Sequence, residues 1–320
     1  MGKIALEEHF NAPVFSSKLP DLFSPDVLGP IEERLAEFNE QRLQAMDTGG
    51  IEITVLSQTS PGVSQLHDRQ AAIEAAQACN DYLAKNIRLN PSRYRGFACV
   101  PLQDPQAAAI ELERCVKEYG FLGGLVNGHT NGHYLDFPEF SVFWKMLEQL
   151  DVPLYLHPVA PYGLPHVFEG LPALDGALWS WTCETASHAL RLVFAGVFER
   201  HPAAKLILGH MGETLPFHLW RLDSRAEILP LSRRPARPPS EVIREHFWIT
   251  TSGVCSDGAL LCSLQELGKD RVMFSVDYPY ESSQIACSWI DAAPLDEPTH
   301  AKVCWQNAAE LLKISTGSQC

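Results

Sequence analysis

The sequence holds nine cysteines, at 79, 99, 115, 183, 255, 262, 287, 304 and 320, yet no two of them stand at CxxC spacing. An odd number of scattered thiols excludes a zinc knuckle and a complete disulfide framework, and predicts a reducing compartment. No apolar run approaches the length of a membrane span. No basic-plus-apolar leader precedes the first strand-like segment, and Leu6 lacks the hydroxyl that a myristoylation signal at Gly2 would need. The expectation is a cytoplasmic protein with no membrane contact. Positive charge is scarce too: 25 Lys and Arg against 39 Asp and Glu give a net charge of −14. That balance argues against a nucleic-acid partner, but not against a small anionic substrate in a site of opposite local charge. There is no Gly-rich phosphate loop after the first strand, no low complexity and no short repeat.

What is present reads as an ordinary globular chain, 320 residues long, 46% hydrophobic and 20% charged. Apolar runs of strand length recur at 3–8, 51–58, 94–102, 121–128, 152–158, 204–212, 247–253 and 272–279. Helix-like stretches with charges at three- and four-residue spacing lie between them, at 31–47, 69–87, 105–120, 140–150, 184–201 and 300–314. Strands apolar on both faces and alternating with helices imply parallel pairing under a helical cover. With no composition break, the expected fold is α/β, a single (β/α)8 TIM barrel over 1–320 with a C-terminal helix about 300–314. An open doubly wound sheet is the alternative. Segments 11–30 and 159–182 are too long for plain connections; following strands one and five, they are expected to be lids over the site. Segment 224–243 carries Arg225, Arg233, Arg234 and Arg237, and reads as a solvated loop or a subunit contact.

The C-terminal strand ends carry the chemistry. KIALEEHF places Glu7 and His9 on one face and Glu8 on the other. The fifth strand ends in His157 (LYLHP), the sixth in His210 (LILGHMGE) and the eighth in Asp277 (FSVDYP). Each residue alone has a structural explanation, such as a hydrogen-bonded histidine or a turn carboxylate. Four strands ending alike, on the one face where barrel strands converge, point instead to a metal site. Oxygen and imidazole donors without thiolate suit Zn²⁺, Mn²⁺ or Mg²⁺.

The order of these motifs is similar to that of the amidohydrolase superfamily. More narrowly it resembles the nonoxidative aromatic acid decarboxylases related to aminocarboxymuconate semialdehyde decarboxylase, especially those of γ-resorcylate (2,6-dihydroxybenzoate) and the fungal ones of 2,3-dihydroxybenzoate. GKIALEEHF, SPGVSQ, PLQDPQAA, GLVNG, DVPLYLHP, ETASHALRL, LILGHMGE, WITTSG and FSVDYPYE carry the likeness along nearly the whole chain. Two departures from the hydrolases of that superfamily matter. Glu7 stands where His-x-His would begin, and Asn127 where a metal-bridging lysine would end strand four.

The resemblance implies one divalent metal, Zn²⁺, Mn²⁺ or Mg²⁺, on Glu7, His157 and Asp277 with His9 as further ligand or neighbour, and no organic cofactor. It implies Asp277 as proton donor, with His210, backed by Glu213, as alternative acid or hydrogen-bond partner. Arg221 becomes a substrate contact; Phe10, Phe23, Trp179, Trp181 and Tyr280 become the aromatics around the ring. The expected substrate is a small aromatic carboxylate: a dihydroxybenzoate, orsellinate or salicylate. The expected assembly is a homodimer or homotetramer. A lactonase-type hydrolase on the same barrel, and a metal-binding barrel without catalysis, are the rival readings.

Overall fold

The computed structural model describes residues 2–15 and 24–315. Among these residues nine strands occur: β1 (Lys3–Phe10), β2 (Ile51–Gln58), β3 (Tyr94–Gly96), β4 (Ala98–Cys99), β5 (Gly124–Asn127), β6 (Leu154–His157), β7 (Leu206–Leu208), β8 (Phe247–Thr250) and β9 (Val272–Met273). Every adjacent pair is parallel, in the orders β1-β2-β3 and β4 through β9. β3 and β4 are halves of one strand interrupted at Phe97, whose N–H donates to the Leu56 carbonyl (3.0 Å). Counting them as one leaves eight strands in the cyclic order of a (β/α)8 barrel.

The seam lies between β1 and the segment after β9. There a single parallel bridge joins Glu8 to Tyr278. Asp277 N–H donates to the Glu7 carbonyl (3.0 Å) and His9 N–H to the Tyr278 carbonyl (2.7 Å). Glu8 strengthens the seam with its side chain, accepting from Val276 N (2.9 Å), Tyr278 N (3.3 Å) and Ser275 Oγ (3.2 Å).

Helices start and stop where local chemistry dictates. In the helix Pro105–Tyr119, the Asp104 carboxylate accepts from Gln106 N and Ala107 N, Pro105 fills the first turn, and Gly120 closes it at φ 69°. The periodic stretch 31–47 divides into Pro25–Ala36 and Glu40–Gly49. The stretch 184–201 divides into Ser180–Phe194 and Val197–Arg200. The C-terminal stretch is Glu297–Ala301 and Asn307–Leu311 around a π turn at Lys302–Gln306. Of the first expected lid, 11–30, residues 16–23 lie outside the described residues and Pro25 already begins a helix. The second, 159–182, runs through short 3-10 turns at His166–Phe168, Pro172–Leu174 and Gly176–Leu178. In the arginine-rich segment, Arg237 pairs with Glu245 (2.5 Å) and Arg234 donates to the Leu229 carbonyl (3.0 Å).

The barrel interior has two storeys. Ile4, Leu6, Ile53, Val55, Phe97, Leu125, Tyr155, Ile207 and Met273, most of them near strand starts, pack with Ala308, Leu311, Leu312 and Ile314 of the C-terminal segment. Burying each large apolar side chain contributes about 1.5–3 kcal/mol, which helps offset the polar storey above it. The outer layer, between strands and helices, holds Ala5, Phe10, Leu56, Leu156, Leu208 and Ile249.

Strict alternation along β1 from Ile4 and Leu6 would turn Glu8 and Phe10 inward. A register shift prevents this: Ala5 pairs with Thr54 but Glu8 with Leu56, so β1 holds one residue more than β2 across that interval. Such a bulge flips the phase of every later side chain. It brings Glu7 and His9 into the barrel and sends Phe10 to the outer core.

Candidate metal centre and active site

Glu7, His9, His157 and Asp277 each offer a ligand atom, and these atoms all lie within 4.8 Å of one another. Glu7 and His9 come from the bulged end of β1, His157 from the end of β6, and Asp277 from the irregular segment that closes the seam. His9 Nε2 is 3.2 Å from Asp277 Oδ1, and His157 Nε2 is 3.3 Å from Glu7 Oε1. Glu7 and His9 are fully buried.

Hydrogen bonds fix which atom of each ligand is left to bind. His157 Nδ1 faces the Pro158 carbonyl at 2.9 Å, and a carbonyl only accepts, so Nδ1 carries the proton and the Nε2 lone pair faces the cluster. Glu7 Oε2 accepts from Tyr155 Oη, Ser252 Oγ and Thr250 Oγ1, which leaves Oε1 for the cluster. Gly209 makes room for that carboxylate, since a Cβ there would stand 2.5 Å from Glu7 Oε2. Glu7 Oε1, His9 Nε2 and Asp277 Oδ1 are all buried without a hydrogen-bond partner. Three orphaned acceptor-type atoms facing one point are costly unless a cation satisfies them. The donor set thus fits a divalent ion held by carboxylate and imidazole.

The electrostatics agree with that arrangement. Burial raises the Glu7 pKa, and Asp277 adds to the rise against His210 and His9. Burial, with His9 alongside, holds His157 well below its usual value and keeps it neutral. Burial works against the Asp277 charge, but the neighbouring His210 and His9 imidazoles outweigh it and hold the carboxyl below its usual range. Burial likewise opposes a charge on His210, yet Glu7, Glu213 and Asp277 outweigh it and hold its pKa well above the usual value.

His210 sits outside the four-ligand cluster. Its Nδ1–H donates to Glu213 Oε1 (2.8 Å), and its Nε2 faces Asp277 Oδ2 (3.5 Å) and Glu7 Oε1 (3.7 Å). The backbone there is left-handed at His210 (φ 50°), Met211 (φ 55°), Gly212 (φ 73°), Glu213 (φ 52°) and Thr214 (φ 66°). Non-glycine residues pay about 1–2 kcal/mol each for that conformation, a strain characteristic of functional sites. Here it turns both His210 and Glu213 toward the barrel mouth.

A cavity of about 890 Å³ opens over the cluster. His157, His210, Glu213 and Asp277 form its floor, and Trp179, Trp181 and Tyr280 stand in its walls. Tyr280 Oη lies 2.6 Å from Thr59 Oγ1. Two expected contacts are not brought here. Phe10 packs against Phe38 and Tyr82 in the outer core, on the face of β1 opposite Glu7 and His9. Arg221 lines a neighbouring groove of about 510 Å³, which shares Trp179, Thr182, Thr214 and His218 with the cavity. Phe23 lies outside the described residues.

Sequence reading missed Tyr155, Thr250 and Ser252, the hydroxyls that orient Glu7, and the wall residues Thr59, His218 and Glu281. The one usable signal was polarity inside apolar strands: a lone tyrosine in VPLYLHP and the hydroxyl run TTS after β8.

Comparison with known proteins gives a consistent family. The model of the amidohydrolase family matches residues 10–314. The γ-resorcylate decarboxylase of Rhodococcus jostii is 42% identical, over 98% of this chain and 99% of its own. The decarboxylase orsB of Emericella nidulans is 36% identical, over 97% of each chain. A crystal structure of a dihydroxybenzoic acid decarboxylase from Polaromonas, with bound manganese and the inhibitor 2-nitroresorcinol, superposes with a TM-score of 0.93. It is 40% identical, over 98% of this chain and 97% of that one. From its parallel barrel, its buried oxygen-and-imidazole cluster and these matches, the chain is a member of the amidohydrolase family.

Proposed function

We propose that this protein is a metal-dependent carboxy-lyase that removes CO₂ nonoxidatively from an ortho-hydroxybenzoate, a dihydroxybenzoate above all, and leaves the phenol. The observation that carries the reading is the position of Asp277. One oxygen of its carboxylate faces His9 in the ligand cluster and the other faces His210. A single side chain therefore joins a cation site to a proton store. The relatives named for γ-resorcylate and dihydroxybenzoate support the substrate class.

Direct loss of CO₂ from a benzoate would leave an unstable aryl anion. Protonation of the carboxylate-bearing carbon comes first; the C–C bond then breaks, its electron pair returns to the ring, and CO₂ departs. A divalent ion, Mn²⁺ or Zn²⁺, on Glu7, His9, His157 and Asp277 supplies a Lewis acid and a template for the carboxylate and ortho oxygen. The chain's residues do the rest. His210, held cationic by its carboxylate neighbours, keeps its Nε2 proton facing Asp277 Oδ2. The bound substrate anion beside Asp277 raises that carboxyl from its depressed resting pKa, and Asp277 then takes up the proton and delivers it to the ring carbon. Glu213 keeps the His210 ring in the orientation that aims Nε2 at Asp277. Trp181 and Tyr280 flank the ring and exclude water. At high bicarbonate the same steps run backward as carboxylation.

The apolar residues Phe217, Trp220, Ile228 and Leu231 are strongly exposed, as are Val167, Leu171 and the cavity-lining Leu178. A face of this kind supports self-association as a homodimer or homotetramer. Eight described cysteines, all unpaired, support a cytoplasmic location.

The test is CO₂ release from a panel of salicylates and dihydroxybenzoates by the Mn²⁺-loaded protein, beside a panel of lactones. CO₂ from at least one acid, without lactone opening, is expected. Lactone hydrolysis without CO₂ would replace this reading with the hydrolase one, against which Glu7 and Asn127 already weigh.

A further inference from the structure

Among the described residues three carboxylates line the cavity: Glu213, Asp277 and Glu281. Asp277 belongs to the ligand cluster and Glu213 is bonded to His210. Glu281 stands apart. Its backbone N–H is tied to the Asp277 carbonyl (3.0 Å), which anchors it one turn beyond the ligand. Its carboxylate has no hydrogen-bond or ion-pair partner among the described residues. It stands exposed at the rim, on the same wall as Tyr280. Burial of part of the group and the nearby Asp277 charge both raise its pKa.

An unpaired carboxylate is an odd lining for a cavity that admits an anion, since it repels the substrate's own charge. An ionised carboxylate only accepts hydrogen bonds. A ring O–H pointing at Glu281 would turn that repulsion into a charge-assisted hydrogen bond. A second ring carboxylate in the same place would meet an uncompensated like charge, the repulsive element that specificity needs.

We infer that Glu281 is a specificity-determining residue that selects acids carrying a further ring hydroxyl beyond the one beside the carboxylate, and rejects rings with a second carboxylate. This rests on the decarboxylase reading and narrows its substrate class.

The experiment compares wild type, Glu281→Gln and Glu281→Ala with salicylate, 2,3-, 2,4- and 2,6-dihydroxybenzoate and 4-hydroxyisophthalate. Two readouts are taken on Mn²⁺-loaded protein: kcat/KM for CO₂ release, and Kd from quenching of tryptophan fluorescence. At least one dihydroxy acid is expected to exceed salicylate by about tenfold or more in wild type, the scale of a hydrogen bond to a charged group. Glu281→Ala should collapse that ratio toward unity, and both variants should gain on 4-hydroxyisophthalate. A ratio that is the same in all three proteins, or a parallel fall on every acid, overturns the assignment. If wild type releases CO₂ from none of the acids, the decarboxylase reading fails on its own. The Kd ratios then still decide whether Glu281 reads the ring hydroxyl.

Discussion

His9 Nε2 lies 3.2 Å from Asp277 Oδ1 across the barrel seam, so a residue of the first strand and one after the last share one wall of the metal centre. The backbone bonds Asp277 N to Glu7 O and His9 N to Tyr278 O set that spacing. The centre is therefore sensitive to whatever holds the seam, as well as to the ligands themselves.

Tyr155→Phe removes one of the hydroxyls that hold Glu7 Oε2 and keeps the ring in the inner core. Loss of a partner that orients a ligand typically lowers metal affinity by about 10–100-fold. Mn²⁺ titration should show a drop in that range, whereas Glu7→Gln should lose more. A Tyr155→Phe protein that binds Mn²⁺ as wild type does would remove the hydroxyl cradle from the account.

His210→Gln should lower kcat by roughly 10²–10⁴, the usual worth of a positioned acid, while metal content stays near wild type, because His210 lies outside the ligand cluster. Asp277→Asn should abolish turnover and retain some metal on the remaining ligands. Single-turnover CO₂ release with parallel metal analysis separates the two. Unchanged turnover in Asp277→Asn would sink its role as donor.

Glu8 gives stability a pH dependence. Burial raises its pKa from 4.5 to about 8, against the opposing bond from Val276 N and the Arg42 charge. Between those values the folded protein holds a proton that the unfolded chain has released. Stability from this group is thus fully present below about 4.5 and is lost as pH rises toward about 8. The melting temperature of Glu8→Gln should gain on wild type as pH goes from 5 to 9. A constant difference across that range would contradict the assignment.

Arg42 is buried and spans several carbonyls: Nη2 donates to His9 O (2.6 Å) and Arg34 O (3.2 Å), and Nε to Glu37 O (3.1 Å). Its guanidinium also lies 4.7 Å from the Tyr278 ring centre. Arg42→Ala should cost about 3 kcal/mol in urea unfolding, as loss of a buried hydrogen-bonded charge does. It should also weaken Mn²⁺ binding by loosening the His9 backbone. Arg42→Lys should recover little, since one ammonium cannot replace a planar fork.

The alternation of strands and helices was legible because apolar runs of strand length and charges at three- and four-residue spacing alternate along the chain. Glu7, His9, His157, His210 and Asp277 were legible because each breaks an apolar run at the same end. Phe10 was misplaced although alternation from Glu7 and His9 already puts it on the opposite face with Glu8. What β1 alone could not show is the bulge that lets Ile4 and Leu6 share the barrel interior with Glu7 and His9. Tyr155 and the hydroxyls after β8 stayed hidden because a strand tyrosine or threonine is ordinary core material until a buried carboxylate lies beside it. Arg221 needed tertiary distances, since its helix faces two adjoining hollows.

The seam also orders events in time. Glu7 and His9 are made first and Asp277 near the end of the barrel, two residues after Ser275, which itself lies 268 residues beyond its partner Glu7. During synthesis the early ligands lack the Asp277 carboxylate until the last strand has been made and docked. Metal capture is then a report of completed folding, and a chain stalled before Asp277 holds at most a partial, exchangeable ion.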